Sequence, residues 1–235
     1  MQLIILFFAL KKVFTDSTLL YIPFLPEDIN IENVNGSIIF NYSQQIKTPV
    51  VFLKKSAKGE KEEFLEWVKK VEIIKKEDKE KKDLKIIIKF PEEEKFEKLE
   101  EKKVEIKVTL PEGIRLGKLK TSIVNGVILI SNLYSEFYNV SCINGYINLK
   151  EIRGNGKFEI VNGSMEVFVS HNEEVNCNLE IVNGNAYLFI NDFTKIDYKV
   201  KNGEIYEDTG YKEIGDKQYI KCDIINGFIK IKRKR

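Results

Sequence analysis

Five acidic residues are the strongest candidates for chemistry in this 235-residue chain. Paired carboxylates can serve as the acid and base that cleave polysaccharides, provided that they lie close together on neighbouring strands. The candidates are Glu173, Glu174, Asp192, Asp197 and Asp208. Most of them lie in stretches whose sequence predicts a loop, and no two of them occupy the same position of the repeat described below. We therefore predict no catalytic residue.

Cysteine and histidine are too few for the usual metal sites and catalytic triads. The three cysteines, Cys142, Cys177 and Cys222, are widely spaced and form no C-x-x-C pair, and the single histidine, His171, lies in a polar stretch that predicts a solvated loop. Each cysteine falls at an odd number of residues before a repeated glycine, which predicts a buried free thiol. No glycine-rich phosphate-binding motif occurs. We expect no metal and no cofactor.

The charge balance argues against nucleic acid as a partner. The chain carries 38 basic and 36 acidic residues, a net charge of +2, whereas phosphate neutralisation requires a clear basic excess. A basic tail could contact anionic lipid, wall polymer or nucleic acid, but we favour the interpretation that its charge protects the open end of a sheet. The tail comprises Lys230, Lys232, Arg233, Lys234 and Arg235.

Two segments precede the repeats and must support them. Segment 1–27 opens with the apolar run from Leu3 to Leu10, which is too short to span a bilayer and is either a capping strand or the remnant of an export signal. Segment 28–118 is predicted to contain strands with a charged insertion from Lys54 to Lys103. The expected elements are a helix within Glu60 to Lys70 anchored by Trp67, a hairpin from Val71–Lys75 to Leu84–Phe90, and a strand from Val104 to Leu110.

Residues 119–235 contain an Asn-Gly repeat, which we treat as continuous with 28–118 in one domain. The six glycines are 18 to 24 residues apart, and an earlier copy occurs at Asn35-Gly36. The structural turns predicted from these pairs are Asn125, Gly126, Asn144, Gly145, Asn162, Gly163, Asn183, Gly184, Asn202, Gly203, Asn226 and Gly227.

Apolar residues recur at fixed positions around each glycine. They occupy the third and fifth positions before it and the second and fourth after it, and we predict that both sets face inward. The third residue before the glycine and the second residue after it are five positions apart. Because side chains alternate along a strand, a flat strand cannot direct both of them inward, so the Asn-Gly pair must bend the chain. A period near 19 favours a single-stranded β-helix or β-roll over a hairpin meander, whose turns recur about every 8 to 12 residues. Stacked corners would also align the asparagines in a hydrogen-bonded ladder.

Aromatic residues occupy outward positions in the middle repeats, at the third and fifth residues after the glycine. They are Phe168, Tyr187, Phe189 and Tyr206. They predict either an exposed contact surface or, in the interpretation that we favour, a face covered by the charged segment from Lys54 to Lys103. Lys201 and Glu207 interrupt the apolar pattern and predict a distorted repeat.

Three stretches of the chain carry a recognisable motif: I-E-N-V-N-G-S-I-I-F from Ile31 to Phe40, and the later F-E-I-V-N-G-S-M-E-V and L-E-I-V-N-G-N-A-Y-L. This pattern resembles the putative-adhesin family of bacterial β-strand-repeat domains, long classed as a domain of unknown function. The resemblance covers about Asp28 to the carboxyl end. It implies a solenoid-like β fold, placement at the cell envelope and no known catalytic or ligand-binding residues.

These observations indicate an all-β protein that acts as a non-catalytic structural or adhesive binding module, with the cell envelope favoured as its location. Its partner would be a surface polymer, another protein or a second copy of the chain. The first alternative is a polysaccharide-active β-helix enzyme. The second is a cytoplasmic or membrane-associated envelope-stress scaffold, which requires that the amino terminus is not an export signal.

Overall fold

The computed structural model describes residues 12–169, 174–191, 194–208 and 218–234. Two helices occur in this part of the chain, α1 (Lys61–Lys70) and the short 3-10 helix η1 (Glu93–Phe96). The strands before the repeats are β1 (Lys12–Tyr21), β2 (Asp28–Ser43), β3 (Val50–Gly59), β4 (Glu72–Asp78), β5 (Asp83–Lys89) and β6 (Glu100–Pro111). The strands of the repeats are β7 (Arg115–Ser131), β8 (Tyr134–Lys150), β9 (Arg153–Phe168), β10 (Val175–Asn191), β11 (Thr194–Glu207) and β12 (Gln218–Lys234).

The charged insertion folds as its hydrophobic pattern predicts. Helix α1 buries Phe64 and Trp67, and β4 and β5 form the expected antiparallel hairpin. The buried Lys55 Nζ of β3 donates hydrogen bonds to the carbonyl oxygens of Val68 at 2.8 Å and Val71 at 3.3 Å. A cation at a helix carboxyl end compensates its unpaired carbonyls, so Lys55 fastens α1 to the sheet. The predicted helix, hairpin and third strand are confirmed.

The strands form one open sheet in the order β1, β3, β6, β2, β7, β8, β9, β10, β12, β11, with the β4–β5 hairpin attached to β2. All six strands of the repeats pair in parallel. Successive asparagines and glycines align, and the early copy joins the same ladder because Gly36 pairs with Gly126. Parallel pairing contradicts a hairpin meander, in which neighbouring strands are antiparallel.

Strand β7, the first strand of the repeats, must turn back on itself. Strand β7 has 17 residues, so it would be about 56 Å long if straight. Yet Tyr134, three residues after its last residue Ser131, pairs with its first residue Arg115. Three residue steps and one strand spacing place the two ends of β7 within about 16 Å of each other. The backbone ladder continues through this connection, where Asn132 N donates to Lys150 O at 2.9 Å.

The interior follows the predicted parity. The predicted inward residues of the first four repeats and of the last one are buried and belong to one continuous hydrophobic cluster. The buried side chains after each glycine are Ile128, Ile130, Ile147, Leu149, Met165, Val167, Ala186, Leu188, Ile229 and Ile231. The boundary that the sequence suggested between segments 28–118 and 119–235 lies inside strand β7 (Arg115–Ser131). Strand β7 pairs with β2, and this pairing joins the two segments.

The last two strands depart from chain order, because β12 lies between β10 and β11. Strand β12 presents an apolar interior row, whereas β11 contains the irregular Lys201 and Glu207, so placing β12 inside buries more apolar surface. The basic tail is therefore not at the sheet edge. Arg233 points inward with only 7% of its side chain exposed, and its Nη2 lies 3.4 Å from Glu207 Oε1.

Several sequence predictions fall outside the described residues: the apolar run from Leu3 to Leu10, and His171, Glu173 and Asp192. In the part of the chain that is described, no helix is long and apolar enough to cross a membrane.

Candidate functional site

The repeated asparagines form a hydrogen-bonded ladder that crosses the strands at the Asn-Gly corners. Six side-chain hydrogen bonds of 2.7 to 2.9 Å link them, each from an amide nitrogen to the amide oxygen of a neighbouring strand. The order along the ladder is Asn35, Asn125, Asn144, Asn162, Asn183, Asn226 and Asn202. These amides bond to one another, so their first role is to align the corners.

The adjoining glycines pack backbone against backbone. Gly163 has φ +148°, and a Cβ built on it would lie 1.8 Å from the carbonyl oxygen of Gly145 on the neighbouring strand. The same contact with a glycine carbonyl oxygen recurs at Gly126, Gly145, Gly184, Gly203 and Gly227. The glycine position of the corner has no room for a Cβ atom, which explains why glycine recurs there.

The outward aromatic residues lie on the wall that follows the glycines. Phe168 and Phe189 stack with ring centroids 4.4 Å apart and planes within 5°. Tyr187 and Tyr206 both contact Phe228 edge-on, at 5.6 and 5.9 Å between centroids. We call this set the aromatic face: Phe168, Tyr187, Phe189, Tyr206 and Phe228.

The interpretation that the charged segment covers these rings is wrong. Helix α1 contacts β3 and β1, and the β4–β5 hairpin attaches to β2, whereas the rings lie on β9 to β12. At least two strands, β7 and β8, separate the two regions in the sheet. Tyr206 is 51% exposed, and Tyr187 and Phe189 are half-buried.

An open groove of about 680 Å³ runs beside the aromatic face. Side chains of β10, β11 and β12 form its walls, among them Tyr187, Phe189, Ile205, Tyr206, Lys230 and Lys232. Apolar rings combined with a few charged groups are typical of ligand sites. This groove is the candidate binding site.

A polar cluster continues the same wall toward β8. Tyr146 Oη donates to Glu166 Oε2, and Asn148 Nδ2 donates to Tyr146 Oη at 2.9 Å and to Glu166 Oε2 at 2.8 Å. Burial, reinforced by the hydrogen bond to Glu166, raises the pKa of Tyr146 to about 12. The phenol therefore keeps its proton and remains a donor at neutral pH.

Sequence reasoning missed two important residues of this wall. Phe228 directly follows Gly227, and Tyr146 directly follows Gly145, a position with the same outward parity as the third and fifth residues. Including the first residue after each glycine among the outward positions would have identified both residues. The opposite wall is different, because its outward apolar residues lie before the asparagine, where Ile143 is 45% and Val161 39% exposed.

The acidic residues are dispersed. Glu174 precedes β10, Asp197 lies on β11 and Asp208 follows β11, all of them exposed. Among the described residues, no group of three or more His, Cys, Asp or Glu side chains could hold a metal ion.

The three cysteines are buried, as their parity predicts. Burial raises the pKa of Cys142 to about 11 and that of Cys177 and Cys222 to about 12. The folded protein thus holds these thiol protons more tightly than the unfolded chain, whose thiols titrate near 9.0. The resulting stabilisation is complete below about pH 9 and is lost as pH rises toward 12.

We expect these thiols to resist alkylation in the folded protein. At about pH 8, iodoacetamide should leave all three unmodified, because neither the thiolate nor an access path is available. In denaturant, mass spectrometry should detect three adducts. Labelling of Cys177 in the native protein at the rate of a free thiol would contradict this assignment.

Comparison with known proteins shows similarity in structure but not in sequence family. No protein-family model and no curated protein sequence matches the chain. It is similar in structure to a putative cell adhesion protein from Clostridium sporogenes, with a TM-score of 0.55, 18% identity, and coverage of 94% of this chain and 100% of the other. A putative adhesin from Bacteroides fragilis aligns with a TM-score of 0.41, 14% identity, and coverage of 95% and 98%. This chain therefore shares the overall fold of the Clostridium sporogenes protein.

Proposed function

We propose that this protein is a non-catalytic adhesive module of the bacterial cell envelope that binds a surface glycan on its aromatic face. Its scaffold is a single-stranded β-helix in which each Asn-Gly repeat forms one coil. The aromatic face supplies the ligand contacts, and the asparagine ladder keeps the coils in register.

One observation carries the proposal: five aromatic side chains, a stacked pair and an edge-on trio, lie on one wall beside an open groove. Soluble proteins usually bury such rings, and an exposed apolar patch with polar neighbours is typical of a binding surface. The rim provides Lys230 and Lys232, which can donate hydrogen bonds to hydroxyl or carboxylate groups. Flat rings beside such donors suit sugars, which combine apolar C–H faces with hydroxyl edges.

The β-helix is supported by the geometry of the connections. Strands β7, β8 and β9 are parallel, in register and connected by only two residues each, so the chain must turn back within these repeats. Gly126 and its equivalents provide one corner, and Asn132 and Glu151, with φ of +55° and +53°, provide another at the connections.

An adhesive role agrees with the name of the similar Clostridium sporogenes protein, a putative cell adhesion protein. A polysaccharide-active enzyme is less well supported, because the described acidic candidates are dispersed along the chain and do not face one another. The stress-scaffold alternative assigns no role to the exposed rings.

The double variant Tyr187→Ser/Phe189→Ser tests this function. It removes two rings of the groove while leaving the interior row untouched, so binding to a glycan array and to isolated bacterial cell walls should fall at least about tenfold. The matched control is Ile143→Ser/Val161→Ser, which removes exposed apolar side chains from the opposite wall and should leave binding unchanged.

Three results would contradict the proposal. The first is a wild-type protein that binds no glycan. The second is a double variant that binds glycan as tightly as the wild type. If the variant instead loses only self-association, measured by sedimentation velocity, the aromatic face contacts a second copy of the chain and the glycan proposal fails.

A further inference from the structure

We infer that two copies of this chain associate end to end, with strand β11 of one copy pairing antiparallel with strand β11 of the other. The two-fold axis of this dimer passes through the corner formed by Asn202 and Gly203. The partner at this edge of the sheet is thus a second copy of the chain. The inference goes beyond the proposed glycan binding and does not depend on it.

Strand β11 is the last strand of the sheet, and one side of its backbone is free. Among the described residues it pairs only with β12. At the opposite end of the sheet, helix α1 packs on β1 and β3, and Phe64 stacks on Phe14 with 5.7 Å between ring centroids. No element of the described chain provides a comparable cap for β11.

The inward row of β11 is incompletely covered. Ile205, the second residue after Gly203, is 42% exposed, whereas the residue at this position is 0% exposed on the other five strands of the repeats. Ile196, Tyr198 and Val200 pack against the core but are only partly buried. A strand added at this edge covers the apolar row, and burial of apolar surface is the main favourable term in most protein association.

The inward positions are symmetric about the Asn-Gly pair. Val200 and Ile205 lie equally far along the chain from the peptide bond between Asn202 and Gly203, and both belong to the inward row. A two-fold axis through this bond exchanges the segments before and after the corner, so the paired strands run antiparallel. Val200 of one copy then lies opposite Ile205 of the other, and both still face the core. A second copy therefore matches the inward and outward positions of the first.

The outward charges of β11 are complementary under the same pairing. Lys201 of one copy lies opposite Glu204 of the other, and the two-fold axis produces this pair twice. All other strands of the asparagine ladder carry valine or isoleucine at the position of Lys201, and none carries a charged residue at the position of Glu204. Lys201 is exposed and forms no ion pair with the described residues. Opposite charges that face each other across antiparallel strands stabilise the pairing.

The neighbouring outward positions give one favourable and one unfavourable pair. Lys199 lies opposite Tyr206, whose ring attracts a cation. Asp197 lies opposite Asp208, but Lys199 is the diagonal neighbour of Asp208 and offsets this repulsion. Lysines on an edge strand usually discourage pairing with another chain. On β11 they instead face Glu204 and Tyr206, so the edge is selective for its own copy.

Sedimentation velocity of the full chain tests the inference. We expect the wild type to form a closed dimer at micromolar concentration, because each copy has one such end. Lys201→Glu and Glu204→Lys should each raise the dissociation constant at least about tenfold, since each places two pairs of like charges at the interface. An equimolar mixture of the two variants should recover the dimer, because every glutamate then faces a lysine. The double variant Lys201→Glu/Glu204→Lys should recover it as well.

Two control variants leave this edge unchanged and should remain dimeric. Lys12→Glu reverses an exposed charge on β1, at the opposite end of the sheet, and Tyr187→Ser/Phe189→Ser alters the aromatic face on β10.

Three results would overturn the inference and leave the glycan-binding function untouched. The first is a wild-type chain that stays monomeric up to about 0.1 mM. The second is a dimer that neither charge reversal weakens. The third is a mixture of the two charge-reversal variants that does not recover the dimer although circular dichroism shows both variants to be folded.

Discussion

Replacing Gly163 by alanine is expected to destabilise the protein by about 4 kcal/mol or more. The new Cβ would lie 1.8 Å from the Gly145 carbonyl oxygen, a backbone atom that cannot rotate away, and the glycine φ of +148° is strained for alanine. The two strands would have to separate at the corner, which would also break the bond of 2.8 Å between Asn162 and Asn144. Chemical denaturation monitored by circular dichroism provides the measurement.

Gly113 is the matched control for this substitution. It also has positive φ, +79°, but an added Cβ would meet no atom within 4 Å. Gly113→Ala should therefore cost only the conformational penalty, about 1 to 2 kcal/mol. Equal losses of stability in the two variants would show that the close contact between strands is not what requires glycine at the corner.

Replacing Arg233 by methionine is expected to cost about 3 kcal/mol, because it leaves the carboxylate of Glu207 without its buried partner. Arg233 Nη1 also donates to the carbonyl oxygens of Asn191 at 3.2 Å and Thr194 at 3.3 Å. The guanidinium thus ties β12 to both β10 and β11. For a protein of this size the melting temperature should fall by roughly 6 to 12 °C.

The double variant Arg233→Met/Glu207→Leu separates the ion pair from simple packing. Removing both charges eliminates the uncompensated carboxylate, so most of the lost stability should return. A double variant as unstable as Arg233→Met would contradict the ion-pair explanation and assign the effect to the carbonyl contacts alone.

The buried polar residues around Arg233 explain why the strand order was not predictable. Asn191 Nδ2 and Thr194 Oγ1 both donate to Gln218 Oε1, at 2.7 and 2.8 Å. The positions of Asn191, Thr194 and Gln218 in the sequence do not predict that these three residues, from three different strands, lie together. Sequence patterns identify which face of a strand is buried, but they do not determine which strand becomes its neighbour.

The elements that local spacing controls were predicted correctly. Helix α1 follows from apolar residues at helical spacing, and the inward rows of the repeats follow from two-residue alternation on either side of each glycine. The alignment of the asparagines also follows, because identical corners stacked in register bring identical side chains together. These features depend on residues within one repeat.

The candidate site was only partly accessible from sequence. Outward parity identified Tyr187 and Phe189, yet the expectation that the charged segment covers them was wrong. Whether a surface stays open depends on which distant segment packs beside it, here on the attachment of the charged insertion to β1, β2 and β3.

The chain's own pattern thus specifies an all-β array, its buried rows and its asparagine corner, because parity and backbone conformation are local properties. Tertiary structure decided the exchange of β11 and β12, the burial of Arg233 and the exposure of the aromatic face. The physical reason is that these features come from contacts between strands far apart in the chain, and their burial free energies can be compared only once the neighbours are known.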